Sequence, residues 1–161
     1  MRIVLQRVSQ AGVDVLNELG TVDPTFEPQQ IGPGYMLLVG VSDADGEPEV
    51  AWLAHKILNL RVFEDEQGKM NRSIQDVGGE ILSISQFTLF ADVHKGNRPS
   101  FVKAGEPVHA ELVWRDFNDA LRSGGVPVRE GRFGAHMRVG LVNDGPVTIV
   151  IDTDVDMPHK A

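Results

Sequence analysis

Glu80-Ile81-Leu82-Ser83-Ile84-Ser85-Gln86-Phe87-Thr88-Leu89-Phe90, opened by Gly78-Gly79, is the strongest strand signal in the chain. Branched and aromatic residues fill it and a glycine pair bounds it, as in a sheet-forming segment. Read as one strand, it turns Ser85, Phe87 and Leu89 to one face and Gln86 and Thr88 to the other. Toward the N-terminus, residues 2–9 and 11–16 read as two more strands, and Tyr35-Met36-Leu37-Leu38-Val39 as another. Between Asn17 and Gly34 the chain carries Pro24, Pro28 and Pro33, a long hairpin excursion rather than a linker. Arg61 to Glu64 returns to alternation and turns at Asp65-Glu66-Gln67-Gly68.

Two stretches switch to helical spacing. From Glu47 to about Leu60, Val50, Leu53, Ile57 and Leu60 share a face, and Pro48 sits in the first turn, where a missing N–H costs nothing. From about Pro107 to Ser123, Ala110, Val113, Phe117, Ala120 and Leu121 form the stripe and Gly124-Gly125 stops it. Closing strands are predicted over 136–143 and 147–152, joined by a turn at Asn143-Asp144-Gly145-Pro146. The pattern predicts a single α+β domain over 1–161, with a mainly antiparallel sheet, two covering helices, and 153–161 as a frayed tail.

The 161 residues suit one domain, and 42% apolar with 24% charged side chains exclude a disordered chain. With no cysteine there is no disulfide framework, thiol nucleophile or Cys-ligated metal. The net charge of −8 lacks the basic footprint of a duplex-coating protein. Its distribution is uneven, −7 over residues 1–80 and +2 over 81–142, so a short stretch of nucleic acid is within reach of the second half. No segment approaches the roughly 20 apolar residues that span a bilayer, and the opening apolar run is too short for a signal peptide. A soluble, cytoplasmic protein with no membrane partner is expected.

Ser85 and Gln86, a hydroxyl and an amide at the end of an apolar strand, suit a polar substrate group. On pattern alone, a strand with one solvated face is the plainer reading. A nucleophilic Ser or Thr needs a neighbouring base, and spacing fixes none. Lys95 and Arg98 lie in a basic loop able to hold phosphate, or merely solvated. Asp-Gly marks a turn at 144–145, but Pro146 removes a donor where a strand should begin. Gly32-Pro33 repeats the Gly-Pro pair, so the dipeptide alone marks nothing. His55, His94, His109, His136 and His159 show no ligand spacing, and Asp152, Asp154 and Asp156 lack the glycine and distal glutamate of a calcium loop. No metal is expected.

Six stretches, in order, carry a resemblance: Met1-Arg2-Ile3-Val4-Leu5-Gln6-Arg7-Val8, Gly68-Lys69-Met70-Asn71, Ser85-Gln86-Phe87-Thr88-Leu89, Lys95-Gly96-Asn97-Arg98-Pro99-Ser100-Phe101, Phe133-Gly134-Ala135-His136-Met137 and Asn143-Asp144-Gly145-Pro146-Val147-Thr148. Together they make the chain resemble the D-aminoacyl-tRNA deacylases over nearly its whole length. Residues 14–34 look longer than the usual hairpin, and the tail after Asp152 looks extended.

The resemblance implies a homodimer of barrel-like subunits with active sites at the interface. It implies hydrolysis of the ester joining a D-amino acid to the terminal ribose of tRNA, with glycyl-tRNA also accepted and L-aminoacyl-tRNA rejected. Gly145-Pro146 maps to a cis peptide inserted into the partner's pocket, its carbonyls facing the substrate ammonium. An L side chain would meet that backbone. Backbone N–H groups around Phe87 and Thr88 would steady the oxyanion. Gln86 and Ser85 would bind the substrate end, Phe133 would pack near the terminal adenine, and Lys95 and Arg98 would meet phosphates. No cofactor is implied. The rival readings are a non-catalytic tRNA-binding module and a small-ester hydrolase with Thr88 as nucleophile.

Overall fold

The computed structural model describes residues 1–158 and organises them around one long strand. The two expected N-terminal strands are a single β1, Arg2–Leu16. Along one edge it pairs antiparallel with β8, His136–Asp152. Its other edge is shared: Arg2 to Val8 pair with β3, Gly34–Gly40, and Ala11 to Val13 with β2, Gln29–Ile31. β3 then pairs in parallel with β6, Glu80–Ser85, and β6 in parallel with β7, Val128–Glu130. The result is a nearly closed, barrel-like sheet in an α+β fold. β4, Phe63–Glu64, and β5, Met70–Arg72, form a separate small hairpin.

Parallel neighbours need long crossovers, and each holds a helix. α1, Glu47–Asn59, lies between β3 and β6; α2, Pro107–Ser123, lies between β6 and β7. The Glu49 side chain caps α1 by accepting from the Gly46 N–H at 2.9 Å, and the Glu106 side chain caps α2 by accepting from the His109 N–H at 3.2 Å. Val50, Leu53 and Ile57 are buried as expected; Ala54 and Leu58 complete the face, while Leu60 lies past the helix end, half-buried. The α2 stripe is buried except Ala120, and Trp114 and Asn118 join it. Leu53, Ile57, Phe117 and Leu121 meet Ile3, Leu5, Tyr35, Leu37 and Ile81 in the main core. Val8, Val13, Met36, Leu82 and Ile84 form a second cluster on the opposite sheet face. β3 is covered on both sides, which explains its unbroken apolar run.

Three further expectations are corrected. The strand opening at Glu80 ends at Ser85, and Phe87–Phe90 is a turn of 3-10 helix. Its partner β3 stops at Gly40, and the Gln86 N–H takes the last ladder acceptor, Val39 O, at 2.8 Å. The turn folds back over Gly40, where a Cβ would sit 3.1 Å from Leu89 and from Phe90, so the alternating faces assigned to residues 86–89 do not exist. Second, Asn143–Pro146 makes no hairpin. Asn143 pairs with Val8 and Thr148 with Gln6, both antiparallel to β1, so Asp144 to Val147 bulge out opposite Arg7 alone. Pro146, lacking a donor, is tolerated in such a bulge. The Gly145–Pro146 peptide is cis.

The third correction concerns the tail. Thr153–Asp156 is a helical turn, α3, and Thr153 is buried. The Thr153 hydroxyl accepts from the Met1 ammonium, which also pairs with buried Asp45, and the Thr153 N–H donates to Met1 O at 2.9 Å. Residues 159–161, including His159, lie outside the described residues. Among the described residues, no helix is long and apolar enough to cross a membrane, and no cluster of three His, Asp or Glu could hold a metal.

Candidate active site

The end of β6 opens into a cavity of about 590 Å³. One wall is Ile84, Ser85, Gln86 and Phe87 at the strand-to-turn junction; across it stands the segment Phe133 to Met137 that leads into β8. Phe101, Pro107 and Ala110, from the loop before α2 and its first turns, close a third side. The lining is mostly apolar with a few polar side chains, Ser85, Gln86 and His136, the usual make-up of a small-molecule site. The break in β6 that sequence missed is what builds it. Were the strand to continue, the side chains after Ser85 would alternate between the two faces of the sheet.

The 3-10 turn begins directly after Gln86. Its first internal bond runs from the Leu89 N–H to Gln86 O at 3.3 Å. The N–H groups of Phe87 and Thr88 precede that bond and have no acceptor inside the turn. The Gln86 side-chain amide donates to the Thr88 hydroxyl. Phe87 is 57% exposed at the rim, its ring edge-on to Phe101 at 5.1 Å. Thr88 is exposed beside the cavity and is not part of its wall.

Thus the structure brings Ser85, Gln86, Phe87 and Phe133 to one cavity, with Thr88 adjoining. It does not bring Lys95 and Arg98 there: both sit exposed in the loop between Asp92 and Ser100, which bond each other through their backbones. The His94 N–H, then the Lys103 ammonium, hold the Asp92 carboxyl below its usual range at the base of that loop. Gly145 and Pro146 are likewise absent from the wall of their own chain's cavity and stand exposed in the β8 bulge.

The bulge has a dedicated support. Arg7, 5% exposed, donates from Nε to Asp144 O at 2.9 Å and from Nη1 to Val62 O at 2.6 Å. Its guanidinium lies 6.0 Å from the Phe63 ring, which stacks on Tyr35 at 5.3 Å. Burial pushes the Tyr35 phenol above its ordinary range, with Arg7 pulling the other way. Gly145 has φ +133°, and a Cβ there would sit 2.9 Å from Val147 N and 3.2 Å from Arg7 Nη2. No role for Arg7 was legible from motif reading. The available signal was parity, for Arg7 falls on the same strand face as Ile3 and Leu5, where a charge needs buried partners. Phe101, His136 and Met137 also line the cavity, and nothing in their spacing marks them as its wall.

Residues 4–152 match the family model described as D-Tyr-tRNA(Tyr) deacylase. A D-aminoacyl-tRNA deacylase of Bifidobacterium longum is 83% identical over 158 residues, 98% of each chain. One from Thermomicrobium roseum is 56% identical over 95% of this chain and 94% of its own. A solved structure described as a c-Myc DNA unwinding element binding protein superposes with a TM-score of 0.81 at 42% identity, covering 94% of this chain and 98% of that one. A second, described as a probable eukaryotic D-amino acid tRNA deacylase, has a TM-score of 0.75 at 18% identity over 93% and 97%, a likeness of fold alone.

Proposed function

The chain belongs to the D-Tyr-tRNA(Tyr) deacylase family, and on that premise we propose how this hydrolase of D-aminoacyl-tRNA uses its cavity. The terminal adenosine enters against Phe133, and the ester carbonyl comes to rest at the start of the 3-10 turn. Water attacks the carbonyl carbon, the bond to the ribose oxygen breaks, and that oxygen leaves with a proton as the tRNA hydroxyl. Free D-amino acid is the other product. The N–H groups of Phe87 and Thr88 meet the oxygen as it gains charge, each donor commonly worth a few kcal/mol. Ser85 and Gln86 orient the substrate end, and the neighbouring ribose hydroxyl assists. The protein works chiefly by position and electrostatics. The observation that carries this reading is the convergence of Ser85, Gln86, Phe87 and Phe133 on one cavity, beside a 3-10 turn whose first N–H groups, those of Phe87 and Thr88, have no acceptor within it.

Chirality is read by the backbone of Gly145 and Pro146 of the partner subunit in a homodimer. The carbonyls accept from the substrate ammonium and leave room for hydrogen, not for an L side chain. Glycine, having no side chain, passes. What supports the cross-subunit arrangement is an exposed bulge, gripped by buried Arg7, that has no place in its own chain's cavity. Lys95 and Arg98 meet phosphates further along the acceptor end, and the enzyme works in the cytoplasm, where aminoacyl-tRNA is made.

Release of D-tyrosine from D-tyrosyl-tRNA tests the reading, and the Thr88→Ala enzyme separates its two forms. With backbone donors as the oxyanion site, Thr88→Ala keeps its rate within about tenfold, the price of a lost hydrogen bond to Gln86. Complete loss of turnover in a folded Thr88→Ala protein would make the hydroxyl the nucleophile instead.

A further inference from the structure

A second groove, of about 370 Å³, adjoins the cavity just described, and the two share Phe133 as a common wall. On the groove side, the Phe133 ring lies 6.0 Å from Trp114, which is fixed in the core by donating from Nε1 to Ser83 Oγ at 2.9 Å. Another wall comes from the excursion between β1 and β2, through Phe26. Arg132 holds that wall in place. Its guanidinium lies 5.4 Å from the Phe26 ring centre, Nη1 donates to Asp23 Oδ2 at 3.3 Å and Thr25 Oγ1 at 3.1 Å, and Nη2 donates to Thr25 O at 3.0 Å. The rim belongs to α2. Arg115 and Glu111 stand one turn apart there, with Arg115 Nη2 donating to Glu111 Oε1 at 2.6 Å. Arg122, at the other end, is engaged by Asp119, Glu130 and Val128 O.

We propose that this groove receives the nucleotide preceding the terminal adenosine of the substrate. Its base lies between Phe26 and Phe133, and the phosphate joining the two nucleotides meets Arg115. The inference rests on the deacylase reading and extends it from the esterified nucleotide to its neighbour. Continuity is the first argument, since an RNA strand whose last residue lies against one side of Phe133 must leave past one of its edges. Lining is the second: aromatic faces beside a guanidinium are how proteins hold unpaired nucleotides. Chemistry of the rim is the third. A guanidinium has five donors, and the single contact to Glu111, 63% exposed on the arginine side, leaves a fork free for phosphate. A carboxylate accepts from an exocyclic amine, so Glu111 suits cytosine, the base before the terminal adenosine in every mature tRNA.

The test compares two small substrates, the D-tyrosyl ester of adenosine and that of cytidylyl-adenosine. In the wild-type protein the added nucleotide is expected to lower KM about tenfold, the order of one base stack. In Phe26→Ala and in Arg115→Gln that ratio falls to about two or less. Because the ratio is taken within each protein, a general loss of fold or chemistry cancels, and the exposed Arg115 side chain leaves the core untouched. A wild-type ratio near one, or a full ratio in both variants, would overturn the proposal while leaving the deacylase reading intact. No cleavage of either ester by the wild-type protein would overturn both.

Discussion

Arg7→Met is expected to lower stability by about 3 kcal/mol and to slow D-aminoacyl-tRNA hydrolysis by about a hundredfold. The stability loss has a direct origin. Methionine fills much of the same volume but donates nothing, so Val62 O and Asp144 O lose their charged donor, one of them in a buried place. A buried acceptor left unpaired costs about 1–3 kcal/mol. The rate loss follows from position. The β8 bulge faces Arg7 alone across the sheet, so without its guanidinium the chain from Asp144 to Val147 is free to shift. A displacement near 1 Å in a positioning element is enough for about a hundredfold. Arg7→Lys separates the two effects, because an ammonium has no planar fork and satisfies one carbonyl well rather than both. It should fall between wild type and Arg7→Met in thermal midpoint and in rate. An Arg7→Met protein with wild-type rate and midpoint would remove Arg7 from the account.

Gly34→Ala is the other change with a large expected effect, and it acts on the fold rather than the site. Gly34 begins β3 beside Glu80, the first residue of β6, with φ +158°. A Cβ there would overlap the Glu80 carbonyl oxygen, backbone that cannot swing away as a side chain would. Either the β3–β6 pair opens at its first rung or the two strands separate. Both strands feed the main core through Tyr35 and Ile81, so the loss should exceed about 4 kcal/mol. The expected result is insoluble or unfolded protein, checked by solubility and thermal melting beside the wild type. A soluble Gly34→Ala protein melting within a few degrees of wild type would contradict this packing.

The parts of the fold legible in sequence are those governed by local rules. Pro48 and Pro107 at helix starts, Gly124 at a helix end and regular apolar spacing fixed both helices nearly to the residue. β1 was visible through alternation, although its continuity across residue 10 depends on the full-length partner β8. What sequence missed depends on partners far away in the chain. The end of β6 is set by the end of β3 some 45 residues earlier, a length no property of Gln86 or Phe87 encodes. Asn143–Pro146 has every mark of a hairpin turn and becomes a bulge because β1 runs on past it. As for the site, periodicity alone left Ser85 and Gln86 open to a bland reading. Their meeting with Phe133 was suggested by motif order, and distant strands bring it about. Arg7 stayed hidden because its two acceptors lie 55 and 137 residues away.

The proposed function has this cavity hydrolyse the ester of a D-aminoacyl-tRNA and refuse its mirror image. The most direct measurement is the discharge of D-tyrosyl-tRNA and L-tyrosyl-tRNA, charged on the same tRNA, by the purified protein at equal concentrations. The expected result is loss of the D-ester at a rate that scales with protein, while the L-ester decays no faster than in buffer. Discharge of both esters at similar rates would contradict the chiral exclusion assigned to Gly145 and Pro146, and survival of both would contradict the hydrolysis itself.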